Sequence, residues 1–390
     1  MRIAFISHYI ELYGANRSLL NLILPLRSKG IEPIVILPAY GELATKLEEE
    51  KIEYIIEPFG LWMGVLAKTK GIIRQLRNRI RFKKLGNEIK RKNLIAVEKI
   101  FNKIKGRHID LVYSNTSVIN IGFELAKKLQ VPHIWHIREF GKKDYDVIPF
   151  AGRNNFLKIL RASDHIIFIS KVLKHYFEFD NDKNNSVIYN GVLSKQKSLQ
   201  LDTTYPPGNE TVFALVGLIL ENKGQQDAIH AFARLNLKYP ATRLLIAGNG
   251  ADNETQMLIN LIEKYELNNK IEMLGYVDDP FSVYKRSHAV LMCSRNEAMG
   301  RVTVEAFHSA RPVLGFKSGA TPELIDHMEN GLLFDSEIEG LYNAMEWVVL
   351  NKEKCVLMGK NAKSKSLNLY TTEKYSEEVY SVINKVLSKT

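Results

Sequence analysis

A chain of 390 residues is longer than one ordinary hydrophobic core needs, so its length predicts two domains. Its composition, 45% hydrophobic and 25% charged, is typical of a soluble globular protein, and its net charge of +11 indicates an anionic partner. Only two cysteines, Cys293 and Cys355, are present, which excludes a disulfide framework and suits a reducing compartment.

Strand-like apolar runs alternate with helical patterns through the first half, which is typical of a parallel α/β sheet. The opening run 3–6 is too short for a signal peptide, and no run reaches the roughly 18 apolar residues of a spanning helix. We therefore expect a cytoplasmic protein. Helices are predicted over 18–28 and 118–129, with Pro25 predicting a kink or break in the first. The predicted strands of this half are 3–7, 33–37, 54–56, 111–114, 133–136 and 165–169.

The segment 68–107 carries most of the net charge, with fifteen Lys and Arg against two Glu. Ile73, Leu76 and Ile80 are spaced to share one helical face, with Arg and Lys on the other. This amphipathic pattern favours a peripheral contact with an anionic membrane, and a solvated helical face is the alternative. No zinc-finger spacing or RNA-binding aromatic signature accompanies it, so we expect no nucleic-acid partner.

The pattern changes near Asn190-Gly191, where a polar stretch indicates an interdomain linker over 191–210. Strands then resume at 211–216, 243–247, 271–274, 289–293, 312–316 and 331–334. The sequence therefore predicts two Rossmann-like domains over 1–190 and 191–370, with parallel sheets facing across a cleft. Ligands of such sheets bind outside the carboxyl ends of the strands. The segment 371–390 is predicted to be a helix that packs back on the N-terminal domain.

The turn Gly14-Ala15 joins the first predicted strand to the first helix. Free N–H groups and the dipole at a helix N-terminus attract a phosphate, and Gly14 lets that backbone come close. An ordinary helix N-cap by Asn16 or Ser18 is the alternative.

Two further glycine turns follow strands of the second half. Gly217 ends the strand 211–216, and Lys223 can neutralise a diphosphate there as a point charge. Gly248 begins a Gly-Asn-Gly turn that matches half of a dinucleotide fingerprint, but Asn253 stands where the third glycine should fall. We therefore exclude an NAD site and interpret the turn as a glycine loop near a nucleotide.

The strongest local feature is a loop from Glu297 to Arg301 that runs into a predicted helix containing Glu305. In a ligand site, Glu297 would accept hydrogen bonds from sugar hydroxyls, and Glu305 would lie near the paired hydroxyls of a ribose. The amides of 299–302 lie at a positive helix end that suits a diphosphate. Two ordinary surface carboxylates are the alternative.

The segment 294–334 resembles the donor site of glycosyltransferase family 4, whose mark is a pair of Glu spaced as Glu297 and Glu305 are. Further stretches are similar to the family in the same order, namely 14–20, 133–140, 187–192, 216–224 and 274–277. The resemblance covers nearly the whole chain and implies the GT-B fold. It is weakest over 60–105 and at the C-terminus.

The resemblance also implies roles. Glu297 would hold the donor sugar, Glu305 the ribose and Lys223 the diphosphate, and His136 would face the reacting sugar. The implied catalytic residues are Glu297, His136 and Lys223. The implied donor-binding residues are Gly14, Ala15, Gly217, Lys223, Gly248, Tyr276, Val277, Glu297, Met299, Gly300, Arg301, Val302 and Glu305. The sequence departs from the family at Leu218, where an Arg is common, so Arg301 or Arg17 would have to supply that charge.

Transfer with retention of the anomeric configuration is what the family resemblance implies, with a UDP- or GDP-sugar as donor. No metal and no other cofactor are expected, because no Asp-x-Asp pattern lies near a strand end. The acceptor would be a glycan or lipid-linked sugar in cell-surface polysaccharide synthesis. A nucleotide-sugar epimerase, a non-catalytic partner subunit and a basic nucleic-acid-binding protein are the alternatives.

Overall fold

The computed structural model describes residues 1–389, which form two compact units. The first contains residues 1–189 together with the C-terminal segment from Tyr375, and the second contains Asn190–Lys374. Each unit is built on its own parallel sheet covered by helices.

Unit 1 has a seven-stranded parallel sheet in the order β3-β2-β1-β5-β6-β8-β9, and β4 pairs with β7 in a short antiparallel ribbon. Its strands are β1 Arg2–Ile6, β2 Glu32–Leu37, β3 Glu53–Ile56, β4 Met63–Val65, β5 Leu111–Ser114, β6 His133–Ile137, β7 Val147–Pro149, β8 His165–Phe168 and β9 Asn185–Val187. Its first seven helices are α1 Gly14–Arg27, α2 Glu42–Glu49, α3 Ile72–Ile104, α4 Ile121–Leu129, α5 Lys142–Tyr145, α6 Arg153–Arg161 and α7 Lys171–Tyr176.

Unit 2 has a six-stranded parallel sheet in the order β12-β11-β10-β13-β14-β15. Its strands are β10 Thr211–Val216, β11 Thr242–Ala247, β12 Ile271–Gly275, β13 Ala289–Met292, β14 Val313–Phe316 and β15 Gly331–Phe334. Its helices are α8 Lys195–Gln200, α9 Gln225–Lys238, α10 Asp252–Lys264, α11 Pro280–Lys285, α12 Arg301–His308, α13 Thr321–Leu324, α14 Glu339–Leu350 and α15 Lys352–Leu369. A last helix, α16 Thr372–Leu387, follows.

The central strand β1 is buried on both faces, as strands of a parallel sheet between two helical layers must be. Ile3 and Phe5 belong to one core cluster and Ala4 and Ile6 to another, so alternate side chains enter opposite layers. The first of these clusters includes apolar residues of α16, such as Val379. The last helix therefore contributes to the core of unit 1.

Helix α1 continues through Pro25 to Arg27, so the break that we predicted there is absent. Proline removes one backbone donor, but the helix ends in the same turn, and few helical bonds remain to be disturbed. Within residues 1–389, no helix is both long enough and apolar enough to cross a membrane.

Candidate active site

The carboxyl end of β13 leads into a loop that positions Glu297 in front of helix α12. Gly300 has a φ of 88°, a left-handed conformation that glycine adopts without strain, and the helix begins at the next residue. Lys223 comes from a short 3-10 helix after β10, and its Nζ lies 2.7 Å from Oε2 of Glu297. A cation, a carboxylate and the positive end of α12 therefore meet in one place.

The Glu297 carboxyl is held in its ionised form. Burial alone would raise its pKa, but the charge of Lys223 and hydrogen bonds from Lys223, Ser294 and the Gly300 backbone lower it below the ordinary value. The side chain is 18% exposed and that of Lys223 is 31% exposed, so both remain within reach of a ligand. Glu297 can therefore accept hydrogen bonds from sugar hydroxyls at neutral pH.

Gly319 supports the Glu297 backbone, and the sequence reasoning missed it. Its φ is 56°, and a Cβ at this position would lie 2.7 Å from the Glu297 nitrogen and would clash with the Glu297 carbonyl oxygen. The next residue, Ala320, donates its backbone N–H to that oxygen at 2.8 Å. In the sequence, the only indication of this role was a glycine shortly after the predicted strand 312–316.

Glu305 lies on α12, and both of its carboxylate oxygens are occupied. The Tyr284 hydroxyl donates to Oε2 at 3.0 Å, and Nη2 of Arg301 lies 3.3 Å from Oε1. Burial and the neighbouring carboxylate raise the pKa of Tyr284 well above its ordinary value, so the phenol stays a donor. The Glu305 carboxylate therefore has a fixed orientation.

Glycines let the backbone turns after β10 and β11 touch directly. A Cβ on Gly248 would lie 2.7 Å from the Gly217 carbonyl carbon and would overlap its oxygen. Gly248 has a φ of 145°, and its N–H donates to the Gly275 carbonyl at 2.7 Å. Gly248 is therefore required by backbone packing, whatever it does toward a nucleotide.

The remaining donor-site residues of unit 2 lie around these groups. Tyr276 follows β12 with an exposed ring, and Val277 beside it is half-buried. Met299 is buried, and its sulfur accepts the Asn190 N–H at 3.2 Å. Val302 lies in the first turn of α12, where helical N–H groups have no helical acceptors.

Leu218 is 46% exposed beside Gly217 and brings no charge to this region.

In unit 1, helix α1 begins at Gly14, so Gly14 and Ala15 form its N-terminus. The N-cap position belongs to Tyr13, which corrects the alternative of a cap by Asn16 or Ser18. Asn16 is buried and instead holds the preceding loop, because its amide donates to the carbonyls of Tyr9 and Glu11 at 2.9 and 2.7 Å. Its Oδ1 accepts the Ser7 hydroxyl at 2.5 Å.

His136 lies on β6 with a fully buried side chain. Its Nδ1 contacts the Tyr113 hydroxyl and the Arg138 guanidinium, whereas Nε2 is buried and has no hydrogen-bond partner among the described residues. Burial and the charge of Arg138 lower its pKa well below the ordinary value. The sequence did not reveal whether His136 was a core histidine or a histidine that faces a ligand. The structure shows a ring that is hydrogen-bonded at Nδ1 and has no partner at Nε2 among the described residues.

Glu139, three residues after His136, was also missed. Its Oε1 accepts hydrogen bonds from the Thr116 hydroxyl at 2.8 Å and from the Ser117 N–H and hydroxyl at 2.7 and 2.6 Å. Burial raises the pKa of this carboxyl despite those bonds. Its place just after the buried strand β6 was the signal in the sequence.

The basic segment forms the long helix α3, and the residues of α3 that are buried in unit 1 all lie in its second half. Its buried residues are Asn93, Ala96, Val97, Ile100 and Ile104. In the first half the apolar residues Ile72, Ile73, Leu76 and Ile80 are between 58% and 85% exposed. We call these four residues, with the exposed basic residues among them, the α3 surface.

Two family models together match nearly the whole chain. The Glycosyltransferase Family 4 model matches residues 13–194, and the model of Glycosyl transferases group 1 matches residues 196–365. An uncharacterized glycosyltransferase of Methanocaldococcus jannaschii is 27% identical over 67% of this chain and 72% of that protein. The alpha-monoglucosyldiacylglycerol synthase of Acholeplasma laidlawii is 23% identical over 74% of this chain and 77% of its own.

Solved structures share the fold over the full length. The Anabaena HepE protein in complex with UDP has a TM-score of 0.78 at 20% identity, covering 99% of this chain and 100% of HepE. A glycosyltransferase from Rickettsia africae has a TM-score of 0.78 at 18% identity, covering 100% of this chain and 99% of that one.

Proposed function

Because the chain belongs to the family 4 glycosyltransferases, with their GT-B fold of two Rossmann-like domains, we propose that it transfers a sugar from a UDP- or GDP-sugar to a glycan or lipid-linked acceptor. The observation that carries the proposal is the pair formed by Lys223 and Glu297 in front of α12. Anabaena HepE, which shares the fold, has been crystallised with UDP and with UDP-glucose.

Different groups in unit 2 bind different parts of the nucleotide-sugar donor. Glu297 accepts hydrogen bonds from the sugar, and Glu305 accepts them from the ribose. Lys223 keeps its bond to Glu297 while donating to the diphosphate, because an ammonium group has three donors. The N-terminus of α12 adds backbone N–H groups and the positive end of its dipole.

In this proposal the negative charge that develops on the leaving diphosphate is stabilised without a metal ion. As the bond between the sugar and the diphosphate breaks, negative charge grows on the phosphate, and fixed positive groups stabilise it most. Arg301 in the first turn of α12 supplies the charge that is missing at Leu218. Transfer proceeds with retention, as the family resemblance implies.

The relatives and the α3 surface support the acceptor and the location that we propose. The relatives include the monoglucosyldiacylglycerol synthase and an O-antigen biosynthesis glycosyltransferase of Escherichia coli, which supports a lipid-linked acceptor in cell-surface polysaccharide synthesis. Exposed isoleucines and a leucine beside Arg and Lys fit the interface of an anionic membrane. We place the protein in the cytoplasm, peripheral to the inner face of the cell membrane.

Membrane contact is tested by sedimentation with vesicles that contain anionic or only zwitterionic lipid. Each Arg near an anionic surface contributes about 1 kcal/mol, so the double variant Arg74→Gln/Arg77→Gln should bind about 30-fold more weakly. Ile73→Ser/Leu76→Ser should also weaken binding. Ile95→Ser, an exposed apolar residue on the packed half of α3, is the matched control. Equal binding by all variants would remove the α3 surface from the proposal.

The transferase activity is tested with a panel of UDP-, GDP-, ADP- and dTDP-sugars, with and without EDTA. We expect slow nucleotide release from one donor that resists EDTA and is lost in Glu297→Ala. Glu263→Ala, at an exposed carboxyl on α10 of the same unit, should behave as wild type. An isomerised donor sugar would indicate an epimerase, and an inverted product anomer would exclude retention.

A further inference from the structure

Three groups surround a single nitrogen of the His136 ring. The Tyr113 hydroxyl lies 2.5 Å from Nδ1, and Nη2 of Arg138 lies 3.1 Å from it. The Tyr375 hydroxyl, on α16, lies 3.5 Å from the same nitrogen and accepts a hydrogen bond of 2.7 Å from Nη2 of Arg138. The far side of the ring, at Nε2, is buried and has no partner among residues 1–389.

These contacts decide where the proton of the ring lies. A guanidinium group has only N–H donors, so a nitrogen that faces Nη2 of Arg138 has to be an acceptor. In a neutral imidazole the other nitrogen then carries the hydrogen. A second proton on Nδ1 would place an N–H group against a buried cation, so the ring remains neutral with a hydrogen on Nε2.

Arg138 is itself held rigidly. Its Nε donates to the carbonyl and side-chain oxygens of Asn115 at 3.1 and 2.9 Å, and its side chain is buried. The Asn115 amide donates in turn to the Ala15 carbonyl at 3.1 Å, in the first turn of α1. The orientation of His136 is therefore connected to the N-terminus of the helix that follows β1.

An N–H group that is buried without a partner costs about 1–3 kcal/mol, so it is a feature that a bound ligand can relieve. We propose that Arg138 is a positioning residue that fixes His136 as the Nε2–H tautomer. His136 thereby donates a hydrogen bond to an oxygen of the bound sugar and is not a general base. This role for the sugar rests on the proposed transferase function, whereas the tautomer does not.

The transfer step balances without a base at His136. The bond between the sugar carbon and the phosphate oxygen breaks, the bond to the acceptor oxygen forms, and the acceptor proton goes to the departing phosphate oxygen. His136 keeps its own proton throughout and contributes only a hydrogen bond.

The tautomer is tested by NMR on the full chain labelled with ¹⁵N-histidine, with His136→Gln used to assign the resonance. We expect long-range couplings that show hydrogen on Nε2 alone, with no change between pH 8 and pH 6. Hydrogen on Nδ1, or on both nitrogens in this range, would overturn the proposal. This measurement needs no turnover, so it stands even if no donor is found.

Kinetics with the active donor separates a hydrogen-bond donor from a base. Losing one hydrogen bond costs about tenfold, whereas losing a general base costs about 10²–10⁴-fold. We expect His136→Leu to lose about tenfold in kcat/KM and His136→Gln, whose amide can still donate, to lose less. Equal losses of a hundredfold or more in both variants would identify a base and overturn the proposal.

The positioning role predicts coupling between the two residues. Arg138→Met should lower kcat/KM about as much as His136→Leu and should have almost no further effect in the His136→Leu background. Arg138→Lys, which keeps a charged donor, should restore part of the loss and the Nε2–H signature. A full additional loss in the double variant would show that Arg138 does not act through His136.

Discussion

The charge of Glu297 can be removed without changing the shape of its side chain, by the substitution Glu297→Gln. The wild-type carboxylate has its Oε2 2.7 Å from Lys223 and also accepts from Ser294 and the Gly300 backbone. Glutamine keeps one acceptor oxygen in the same place. The variant therefore tests whether the negative charge matters, and not merely whether the pocket is filled.

The size of the effect follows from the kinds of hydrogen bond involved. A bond to a charged group contributes about 1.5–3 kcal/mol, and one between neutral groups about 0.5–1.5 kcal/mol. Weakening one or two bonds to sugar hydroxyls should therefore cost about 1–3 kcal/mol, or roughly 5–150-fold in kcat/KM. Affinity for the nucleotide without its sugar should not fall, since Lys223 loses a competing acceptor.

The assay compares kcat/KM for the active donor with calorimetric binding of the free nucleoside diphosphate. Glu263→Gln, at an exposed carboxyl on α10 of the same unit, controls for the change of charge. Turnover within twofold of wild type would refute the assignment of Glu297 to the sugar. An equal loss for the nucleotide and for the nucleotide-sugar would refute it too, because it would place Glu297 at the nucleotide.

Acid denaturation gives the same substitution a second readout. Since the folded pKa of Glu297 lies below its ordinary value of 4.5, its ionised form stabilises the fold above that pH. This contribution is lost as the pH falls through the folded pKa. The wild-type protein and Glu297→Gln should therefore differ in urea midpoint at pH 7, and the difference should shrink as the pH falls below 4.5.

Three further substitutions test the surroundings. Leu218→Arg should tighten UDP or GDP binding by about fivefold at low salt, because the exposed position beside Gly217 gains a positive charge that can bind phosphate. Titration calorimetry measures the affinity, and weaker binding by the variant would contradict the prediction. Gly319→Ala should lower the free energy of unfolding by about 2–4 kcal/mol, because a Cβ at a φ of 56° clashes with the Glu297 backbone; a urea midpoint equal to wild type would contradict it. Asn16→Ala should cost about 1–3 kcal/mol, because it leaves the Tyr9 and Glu11 carbonyls and the Ser7 hydroxyl without this partner. Asn87→Ala, at an exposed position of α3, is the control, and equal urea midpoints in the two variants would contradict the prediction.

The alternation of strands and helices was readable from the sequence because parallel strands buried on both faces are apolar throughout. The run around β1 and the one around β10 are of this kind, and the family and the GT-B fold inferred from the order of the motifs are confirmed. The short strands β4 and β7 were missed. They have three residues each and pair only with one another, so neither is long enough to show the alternating or continuous apolar pattern that identifies a strand in a sequence.

The surroundings of His136 could not be predicted, because they depend on residues far apart in the chain. Arg138 contacts Tyr375 across 237 positions of sequence. No local pattern indicates such a contact. The same holds for Gly319, whose importance depends on the backbone of Glu297 lying against it.

The two units carry different kinds of residue at the carboxyl ends of their strands. In unit 1 the positions after β5 and β6 carry large polar side chains, namely Asn115 and Arg138, which bond to one another. In unit 2 the positions at the ends of β10 and β11 carry Gly217 and Gly248, whose backbones pack directly against one another and whose N–H groups donate to the carbonyls of Ala247 and Gly275.

The backbone N–H groups and the dipole at the N-terminus of α12 suit a phosphate, which is recognised mainly by its charge. Fixed side chains such as Arg138 instead orient a single donor, here the Nε2–H of His136, toward one oxygen. A sugar hydroxyl is recognised by its direction and a diphosphate by its charge. The N-terminus of α12 in unit 2 therefore suits a diphosphate, whereas the fixed ring of His136 in unit 1 suits one directional hydrogen bond.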